Sequence, residues 1–371
     1  MGTVKRLAEE VARGLWNLHP KLRKTVVSKL SLAVGAMIEG QTPNTVELAN
    51  LLLLETERQD MREQWLRRLL KNPLLQSEAM MDPLARQELK AASRNGQILL
   101  LSMDQTDLGD RMAVLMVCVR IGDRSLPLAW IAEDGAANIG FESQCIVLER
   151  IRRWLPVGVA VMLLADRFYP SAALFAWLHR HGWCYRPRLK GNLLADPGHG
   201  EETTPGALAR GVKERYLPQV RLFADGVLTN RGILHEVGHE APWIIAMECT
   251  PTPAAVLDYG ARWAIEPTFS DFKSRGFDLQ ASRLEHANRL ERHDLDHGVG
   301  DVLVRACRSR RYVALPHAAR KKAHAQTDPN HWSFRKLYRS AVSWFTRGLR
   351  HLKRCLQNDL PLPPFCEVMR N

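Results

Sequence analysis

The sequence has no apolar run long enough to cross a bilayer and no cysteine pattern typical of metal binding. Its longest apolar run, residues 157–165, is far shorter than the about 20 residues that a membrane helix needs. The seven cysteines are scattered, with no C-x-x-C and no Cys/His cluster at zinc spacing. They indicate reduced thiols, and acids near the N-terminus argue against a signal peptide, so we expect a cytoplasmic protein.

Acidic residues are scarce relative to basic ones. The chain has 40 Asp and Glu against 52 Lys and Arg, which gives a formal net charge of +12 and a pI near 9.6. A charge of this sign favours a polyanionic partner, and nucleic acid fits better than a membrane surface. The length of 371 residues allows two to three domains.

Residues 1–93 predict a helical N-terminal domain. Leu7, Val11 and Leu15 recur at helical spacing. Thr42, which precedes a proline, is expected to cap the start of a further helix. Basic residues on these short helices suit a module that docks on DNA ends. A helical cap packed on the core, with incidental surface charge, is the alternative.

Residues 94–190 change from a helical to a strand pattern. Three apolar strands, a helix, a strand, a helix and a strand follow one another, which predicts a layered α/β fold. Asp104 and Asp166 each end an apolar run, so both carboxylates are expected to project from strand ends. A buried acid there costs desolvation free energy unless a cation or hydrogen-bond donors receive it. Either acid alone is more often a turn residue or a helix cap.

The most informative stretch is residues 258–276. Tyr259, Arg262, Glu266 and Lys273 fall at offsets of three, seven and fourteen. On an α-helix of about 100° per residue, these offsets keep all four side chains on one face. The face could hold a metal-binding Glu beside a phosphodiester, or it could be a solvated stripe with an Arg–Glu pair four residues apart.

Pro267 directly follows Glu266 and constrains this helix. It has no N–H and would clash with the carbonyl of Trp263 in an unbroken helix. Either the helix kinks there or Pro267 opens a second helix, and the alignment of Lys273 with Tyr259 depends on which occurs.

The pattern Tyr-x2-Arg-x3-Glu-x6-Lys resembles the signature of bacterial cut-and-paste transposases of the IS-four insertion-sequence family, in which the Glu is the last acid of a DDE triad. The blocks M-D-Q-T and L-A-D-R-F-Y are similar to the family's blocks around its first and second Asp. The resemblance covers most of residues 95–295. It implies an α/β fold with a ribonuclease-H-like catalytic core, an inserted β-subdomain, and helical N-terminal and C-terminal regions.

The resemblance also implies a site. Asp104, Asp166 and Glu266 would be the catalytic triad and would hold two Mg²⁺ ions, with Mn²⁺ as a substitute, for DNA hydrolysis and strand transfer. Contacts with DNA are implied for six further residues: Tyr259, Arg262, Lys273, Arg188, Lys190 and Trp243. For Trp243, stacking on a flipped base and burial between insertion and core both remain open. The implied partners are double-stranded DNA, as terminal inverted repeats and target, and a second copy in a homodimer on DNA within the bacterial nucleoid.

The remaining segments complete the predicted organisation. The core would comprise residues 94–190 and 243–300, interrupted by the inserted β-rich subdomain at 191–242, with residues 243–248 as a strand that returns to the core. Residues 301–371 would form a basic C-terminal helical region. Between residues 305 and 354 there are fourteen Lys or Arg against one acid, which suits contact with the DNA backbone or with another subunit.

Two other functions compete with transposition. A copy that binds transposon ends without cutting them would repress its partner, although an intact acid triad argues against this. A ribonuclease-H-like nuclease would hydrolyse DNA without transferring strands.

Overall fold

The computed structural model describes residues 2–122, 124–198, 202–235, 240–271, 273, 282, 284, 286–293 and 344–364. The chain divides into two compact units, one of residues 1–83 with 269–371 and the other of residues 84–268. No helix in these described ranges is long and apolar enough to cross a membrane. Most of the predicted region 301–371 lies outside the described residues.

The first unit contains the predicted N-terminal helices. They are α1 (Thr3–Leu18), α2 (Lys24–Gly40), α3 (Thr45–Leu51), α4 (Gln59–Leu70) and the start of α5 (Ser77–Ala92), and a C-terminal helix spans Trp344–Gln357. Leu7, Val11 and Leu15 are buried, as their spacing predicted. A Cβ atom on Gly35 would lie 2.9 Å from the carbonyl oxygen of Val4, so α1 and α2 pack closely at this glycine.

The cap of α3 differs from the prediction. Asn44, not Thr42, is its N-cap, and the Asn44 side chain accepts a hydrogen bond from the Val46 N–H at 3.0 Å. The Thr42 hydroxyl instead accepts from the Asn44 N–H at 3.2 Å and donates to Glu47 at 2.6 Å. Asn is a strong N-cap residue because its short side chain reaches back to the first turn.

The second unit is built on a five-stranded mixed sheet with the order β3-β2-β1-β4-β5. Its strands are β1 (Leu99–Leu108), β2 (Met112–Ile121), β3 (Arg124–Asp134), β4 (Val161–Ala165) and β5 (Cys184–Pro187). β2 is antiparallel to β1 and β3, whereas β4 is parallel to β1 and β5. The helices α6 (Phe141–Trp154) and α7 (Ala172–His181) connect the strands in the predicted order. The parallel pairs bring the ends of β1 and β4 to neighbouring positions.

A second, four-stranded sheet follows, with the order β6-β7-β8-β9. It contains β6 (Ala195–Asp196), β7 (Glu214–Leu222), β8 (Val227–Leu234) and β9 (Trp243–Met247), with the short helix α8 (Pro205–Ala209) before β7. We expected residues 243–248 to form a strand that returns to the core. β9 is that strand, and it pairs along its whole length with β8. It also touches the chain after β5 through a hydrogen bond from the Leu189 N–H to the Ile244 carbonyl at 2.7 Å.

The segment with the signature residues is not one continuous α-helix. It consists of α9 (Pro253–Leu257), a 3₁₀ segment (Asp258–Ala264) and α10 (Glu266–Ser270). Pro267 is the second residue of α10, where its missing N–H leaves no helical hydrogen bond unmade. Of the two alternatives at this proline, the opening of a second helix is confirmed.

Two glycines fix the chain before β7. The Gly206 N–H donates to the Gly191 carbonyl at 2.8 Å, and a Cβ on Gly206 would lie only 2.8 Å from that oxygen. A Cβ on Gly191 would meet its nearest atom, the Cα of Gly206, at an ordinary 3.5 Å.

We therefore expect Gly206→Ala to lower the free energy of unfolding by about 1–3 kcal/mol, because the new methyl group forces the two backbones apart. Gly191→Ala is the matched control and should be neutral or slightly stabilising, because it only restricts the unfolded chain. Urea unfolding of both variants measures the difference, and equal effects would contradict this account of the contact.

Candidate active site

The two predicted aspartates are brought together by a parallel strand pair. Met103 of β1 is the partner of Ala165 at the end of β4, and Asp104 and Asp166 come next on each strand. Because neighbouring strands lie about 4.8 Å apart, the two residues start from adjacent positions. Asp104 is not at a strand end as expected, since β1 continues to Leu108 through its pairing with β2. The parallel pairing of β1 with β4 is the one that stops directly before the two acids.

The guanidinium of Arg262 lies at the centre of the site. Its Nη1 donates to Asp104 Oδ2 at 2.6 Å, and its Nη2 donates to Glu266 Oε1 at 3.1 Å. Its Nε donates to the Tyr259 hydroxyl at 3.1 Å, and that hydroxyl donates to Asp166 Oδ1 at 3.2 Å. One arginine and one tyrosine thus join all three acids in a single hydrogen-bonded cluster.

The solvated-stripe alternative is wrong for two of the four signature residues. Tyr259 is 1 % exposed and Arg262 is 7 % exposed, whereas the Glu266 side chain is half exposed. The 3₁₀ segment still places Tyr259 and Arg262 close to each other, because residues three apart lie on the same side of a 3₁₀ turn. Arg262 and Glu266 then join across the start of α10 as a pair four residues apart.

Asp104 has two further hydrogen-bond donors. Its Oδ1 accepts from the Gln105 N–H at 2.9 Å and from the Tyr169 hydroxyl at 3.2 Å. Burial raises the pKa of Asp104 above its ordinary value, and the positive charge of Arg262 only partly opposes this. Burial and the neighbouring Asp104 also raise the pKa of Tyr169, so its hydroxyl remains a proton donor.

Burial and neighbouring charges also shift the pKa values of Arg262 and Tyr259. Burial lowers the pKa of Arg262, but the surrounding Tyr259 and the three acids outweigh it and raise that pKa above its ordinary value. Burial raises the pKa of Tyr259 to about 12, although the charge of Arg262 acts against the shift. Arg262 is therefore a permanent cation and Tyr259 a neutral donor at physiological pH.

The chemistry of the donor set suits a hard cation. Carboxylate oxygens are the ligands that Mg²⁺ and Mn²⁺ prefer, and the Arg262 guanidinium already stands as a cation between Asp104 and Glu266. Within the described part of the chain, no group of three or more His, Cys, Asp or Glu side chains is spaced to hold a metal directly. The acids meet through Arg262 and Tyr259, so direct ligation requires these two side chains to withdraw.

The comparison with protein families bears on this cluster. Residues 141–295 match the model of the transposase DDE domain. The matched segment contains two of the three acids together with Arg262, Tyr259 and Tyr169, and Asp104 lies upstream of it. A search of curated proteins found no match. The match supports a DDE transposase, which implies nuclease and transposase activity and DNA as a partner.

Sequence reasoning missed the ion pairs of the buried Arg186, which hold the segment leading to the acid cluster. Arg186 of β5 donates to Glu248 at 2.8 Å, to the Ala255 carbonyl at 3.0 Å and to the Cys249 sulfur at 3.2 Å, and its Nε lies 3.5 Å from Asp258. These bonds fix the chain on both sides of α9. The signal was an arginine inside an otherwise apolar strand, and its role is to position the 3₁₀ segment that carries Tyr259.

Of the two alternatives for Trp243, stacking on a flipped base requires an accessible ring, and the structure contradicts it in favour of burial. Trp243 is 1 % exposed, and its ring lies edge-on to Tyr259 and Trp263, with centroids 5.4 and 5.2 Å away. It is a core residue of the cluster formed by β9, α9 and Tyr259. Burial occurs because β9 is covered on this face by the segment that carries the signature.

The three basic residues predicted to contact DNA, Arg188, Lys190 and Lys273, do not lie together. The backbone N–H of Arg188 donates to the Ala165 carbonyl at 3.0 Å, directly before Asp166. The Lys190 ammonium lies 4.8 Å from the ring centroid of Phe168. Lys273 lies on a helical turn after α10, is partly exposed, and belongs to the first unit rather than to the unit that holds the acids.

Arg262→Ala is expected to lower the free energy of unfolding by about 3 kcal/mol, because it leaves the buried carboxylate of Asp104 without its cation. The double variant Arg262→Ala with Asp104→Asn should cost less than the sum of the two single variants, since the pair is coupled. Arg67→Ala, which breaks an exposed pair with Glu63, is the control and should cost under about 1 kcal/mol. Chemical denaturation measures all four, and strictly additive costs would contradict the coupling.

Trp243→Ala should lower the free energy of unfolding by about 3–5 kcal/mol, because it empties a buried site against Tyr259. Trp16→Ala is the control on a tryptophan that is 43 % exposed, and it should change stability by about 0.5 kcal/mol or less. If thermal and urea unfolding showed equal effects for both tryptophans, the assignment of Trp243 to the core would be incorrect.

Proposed function

We propose that this chain is a DNA transposase of the IS-four type, which moves its element by cut-and-paste transposition in the bacterial nucleoid. The observation that supports the proposal best is the convergence of Asp104, Asp166 and Glu266 on the buried Arg262–Tyr259 pair. The five-stranded sheet order with a central strand bearing the first acid is the arrangement that a ribonuclease-H-like core would have.

Asp104, Asp166 and Glu266 would hold two divalent ions, Mg²⁺ with Mn²⁺ as a substitute. When bound, such ions activate the attacking oxygen and stabilise the leaving oxygen of an in-line displacement at phosphorus. Asp104 and Glu266 become available only when Arg262 leaves them, since its two terminal nitrogens now occupy one oxygen of each.

Once Arg262 leaves Asp104 and Glu266, its guanidinium would contact a DNA phosphate. A guanidinium bonded to carboxylates can exchange them for a phosphate, because both anions match its planar fork of donors. Tyr259, kept protonated by its environment, would donate its hydroxyl hydrogen to a phosphate oxygen instead of to Asp166. Arg188, Lys190 and Lys273 are proposed to contact the DNA backbone near the cut.

The same acids would act twice. Hydrolysis at the element end uses water as the nucleophile and leaves a 3′-hydroxyl, and strand transfer uses that hydroxyl on a target phosphodiester. The terminal inverted repeats and the target are both double-stranded DNA, and two ends would be joined by a homodimer. The N-terminal helices and the basic residues after 300 are proposed to bind DNA backbone or to contact the second subunit.

The test is metal-dependent cleavage and strand transfer on duplexes that carry the element ends. Asp104→Asn, Asp166→Asn and Glu266→Gln should each reduce both reactions by at least about 1000-fold while DNA binding changes little, because phosphate contacts elsewhere dominate affinity. Asp110→Asn is the matched control, an exposed acid in the turn after β1, and should retain full activity.

Three results would contradict the proposal. Cleavage without strand transfer by the unmodified chain would favour a ribonuclease-H-like nuclease. Binding to the ends without any cleavage would favour a repressor. Loss of activity in Asp110→Asn equal to that in Asp166→Asn would show that the acid cluster has no special role.

A further inference from the structure

Two cysteines come together where β5 lies beside β9. Arg188, directly after β5, forms an antiparallel bridge with Ile245 of β9. Cys184 lies four residues before Arg188, and Cys249 lies four residues after Ile245. Because antiparallel segments run in opposite directions, the same register continued along both chains sets Cys184 opposite Cys249.

Hydrogen bonds show that the two segments stay close along this stretch. The Tyr185 N–H and the Arg186 Nη1 both donate to Glu248 Oε2 at 2.8 Å. Arg186 Nη2 donates to the Cys249 sulfur at 3.2 Å, and the Cys184 thiol is hydrogen-bonded to Glu248. Both sulfurs therefore border a single pair of charged side chains.

The two thiols also lie on the same side of their strands. Cys184 packs against a core cluster that includes Ala261, and Cys249 packs against one that includes Tyr259. Both of these partners belong to the 3₁₀ segment. Opposite residues of antiparallel strands have Cα atoms about 4.5–5.5 Å apart, within the span of about 4.4–6.8 Å that a disulfide bridges.

The surroundings give the two thiols different reactivity. Both are free and half-buried, so a small oxidant reaches them. Burial and the charge of Glu248 raise the pKa of Cys184 to about 11, which keeps it a thiol. Cys249 instead has its sulfur against the Arg186 guanidinium, a cation that balances the negative charge of a reacting thiolate. We therefore expect Cys249 to react first and Cys184 second.

Metal binding fits this pair less well than oxidation does. A soft metal ion held by two thiolates needs at least one further ligand from the protein or solvent. Among the residues that the structure describes, no three Cys, His, Asp or Glu side chains are spaced to hold a metal ion. A bond between the two sulfurs needs no third group.

We propose that a peroxide converts Cys184 and Cys249 into a reversible disulfide that links β5 to the chain entering α9. Disulfides of this kind in cytosolic proteins are usually transient and serve redox sensing. The proposal does not depend on the proposed function, because it concerns the chemistry of the two thiols and the segment that follows them.

The reaction has two steps that balance. The Cys249 thiolate attacks one oxygen of the peroxide, the O–O bond breaks, and the released oxygen leaves as water, which gives a sulfenic acid on Cys249. The Cys184 sulfur then attacks that sulfur, the S–S bond forms, and the S–O bond breaks. The second water leaves with the thiol proton, which Glu248 accepts first. Two thiols are oxidised and one peroxide is reduced to two waters.

The disulfide would hold the segment that leads to the acid cluster. Cys249 lies four residues before α9, which the 3₁₀ segment with Tyr259 and Arg262 follows directly. Arg186 already fixes this part of the chain by ion pairs. A covalent link that closes the long loop between residues 184 and 249 also restricts the unfolded chain. Oxidation should therefore slow the local opening of residues 253–264.

Peptide mapping tests the bond. The full chain is treated with hydrogen peroxide in EDTA, digested without reductant and analysed by mass spectrometry. A peptide joining Cys184 to Cys249 should appear and should vanish after dithiothreitol. Cys184→Ser should leave a sulfenic acid on Cys249 that dimedone traps, whereas Cys249→Ser should leave Cys184 unmodified at the same peroxide dose. Cys145→Ser, at another half-buried cysteine, is the matched control and should still form the bond.

Hydrogen exchange tests the consequence. Backbone amides of residues 253–264 should exchange about tenfold more slowly, or slower still, in the oxidised chain than in the reduced chain. The melting temperature should rise by about 5 °C or more, because the link removes freedom from the unfolded state. Cys249→Ser treated in the same way should show neither change, and Cys145→Ser should show both.

Three results would overturn the proposal. The first is an oxidised chain without the Cys184–Cys249 peptide, and the second is a bond that joins these cysteines only between two different chains. The third is unchanged exchange of residues 253–264 despite the bond. None of these measurements uses DNA, so the outcome stands whether or not the chain cleaves or transfers strands.

Discussion

The Arg262 guanidinium, shared between two carboxylates and a tyrosine, is the interaction on which the rest of the site depends. Without it, three acids and a phenol would face one another with no cation between them, and the carboxylates would repel one another. With it, the acids are held in position by a cation that belongs to the chain. The site can therefore fold before any metal ion or DNA arrives.

The 3₁₀ segment that carries Tyr259 and Arg262 depends on neighbouring strands for its conformation. The 3₁₀ segment buries Tyr259 against Trp243 of β9, and Arg186 ties the chain on both sides of α9 to β5. A 3₁₀ turn alone is a weak structure with poor hydrogen-bond geometry. Its conformation is set here by buried side chains, so the geometry of the acids follows from packing in two sheets.

The sequence allowed much of the fold and the site to be predicted, because the informative features are local. Apolar runs gave the order of strands and helices in the first sheet, and the spacing of Tyr259, Arg262 and Glu266 indicated that they act together. The position of Pro267 indicated that a second helix could begin there, as it does. The pairing of β9 and the choice between burial and exposure of Trp243 were not predictable in this way, because both depend on contacts between segments distant in sequence. Tyr169 and Arg186 were missed for the same reason: their partners lie 65 and 62 residues away.

The place of β9 determines whether the second sheet could be removed from this protein. Loops that leave and re-enter a core at neighbouring points can usually be shortened at little cost, since their closure entropy changes slowly with length. Here β9, the last strand of the insertion, supplies Trp243, whose ring packs against Tyr259. β8 in turn forms the backbone hydrogen bonds that hold β9 in place. A shortened relative that lacked β6 to β8 would lose the support of its own catalytic segment. The insertion and the acid cluster must therefore be inherited together.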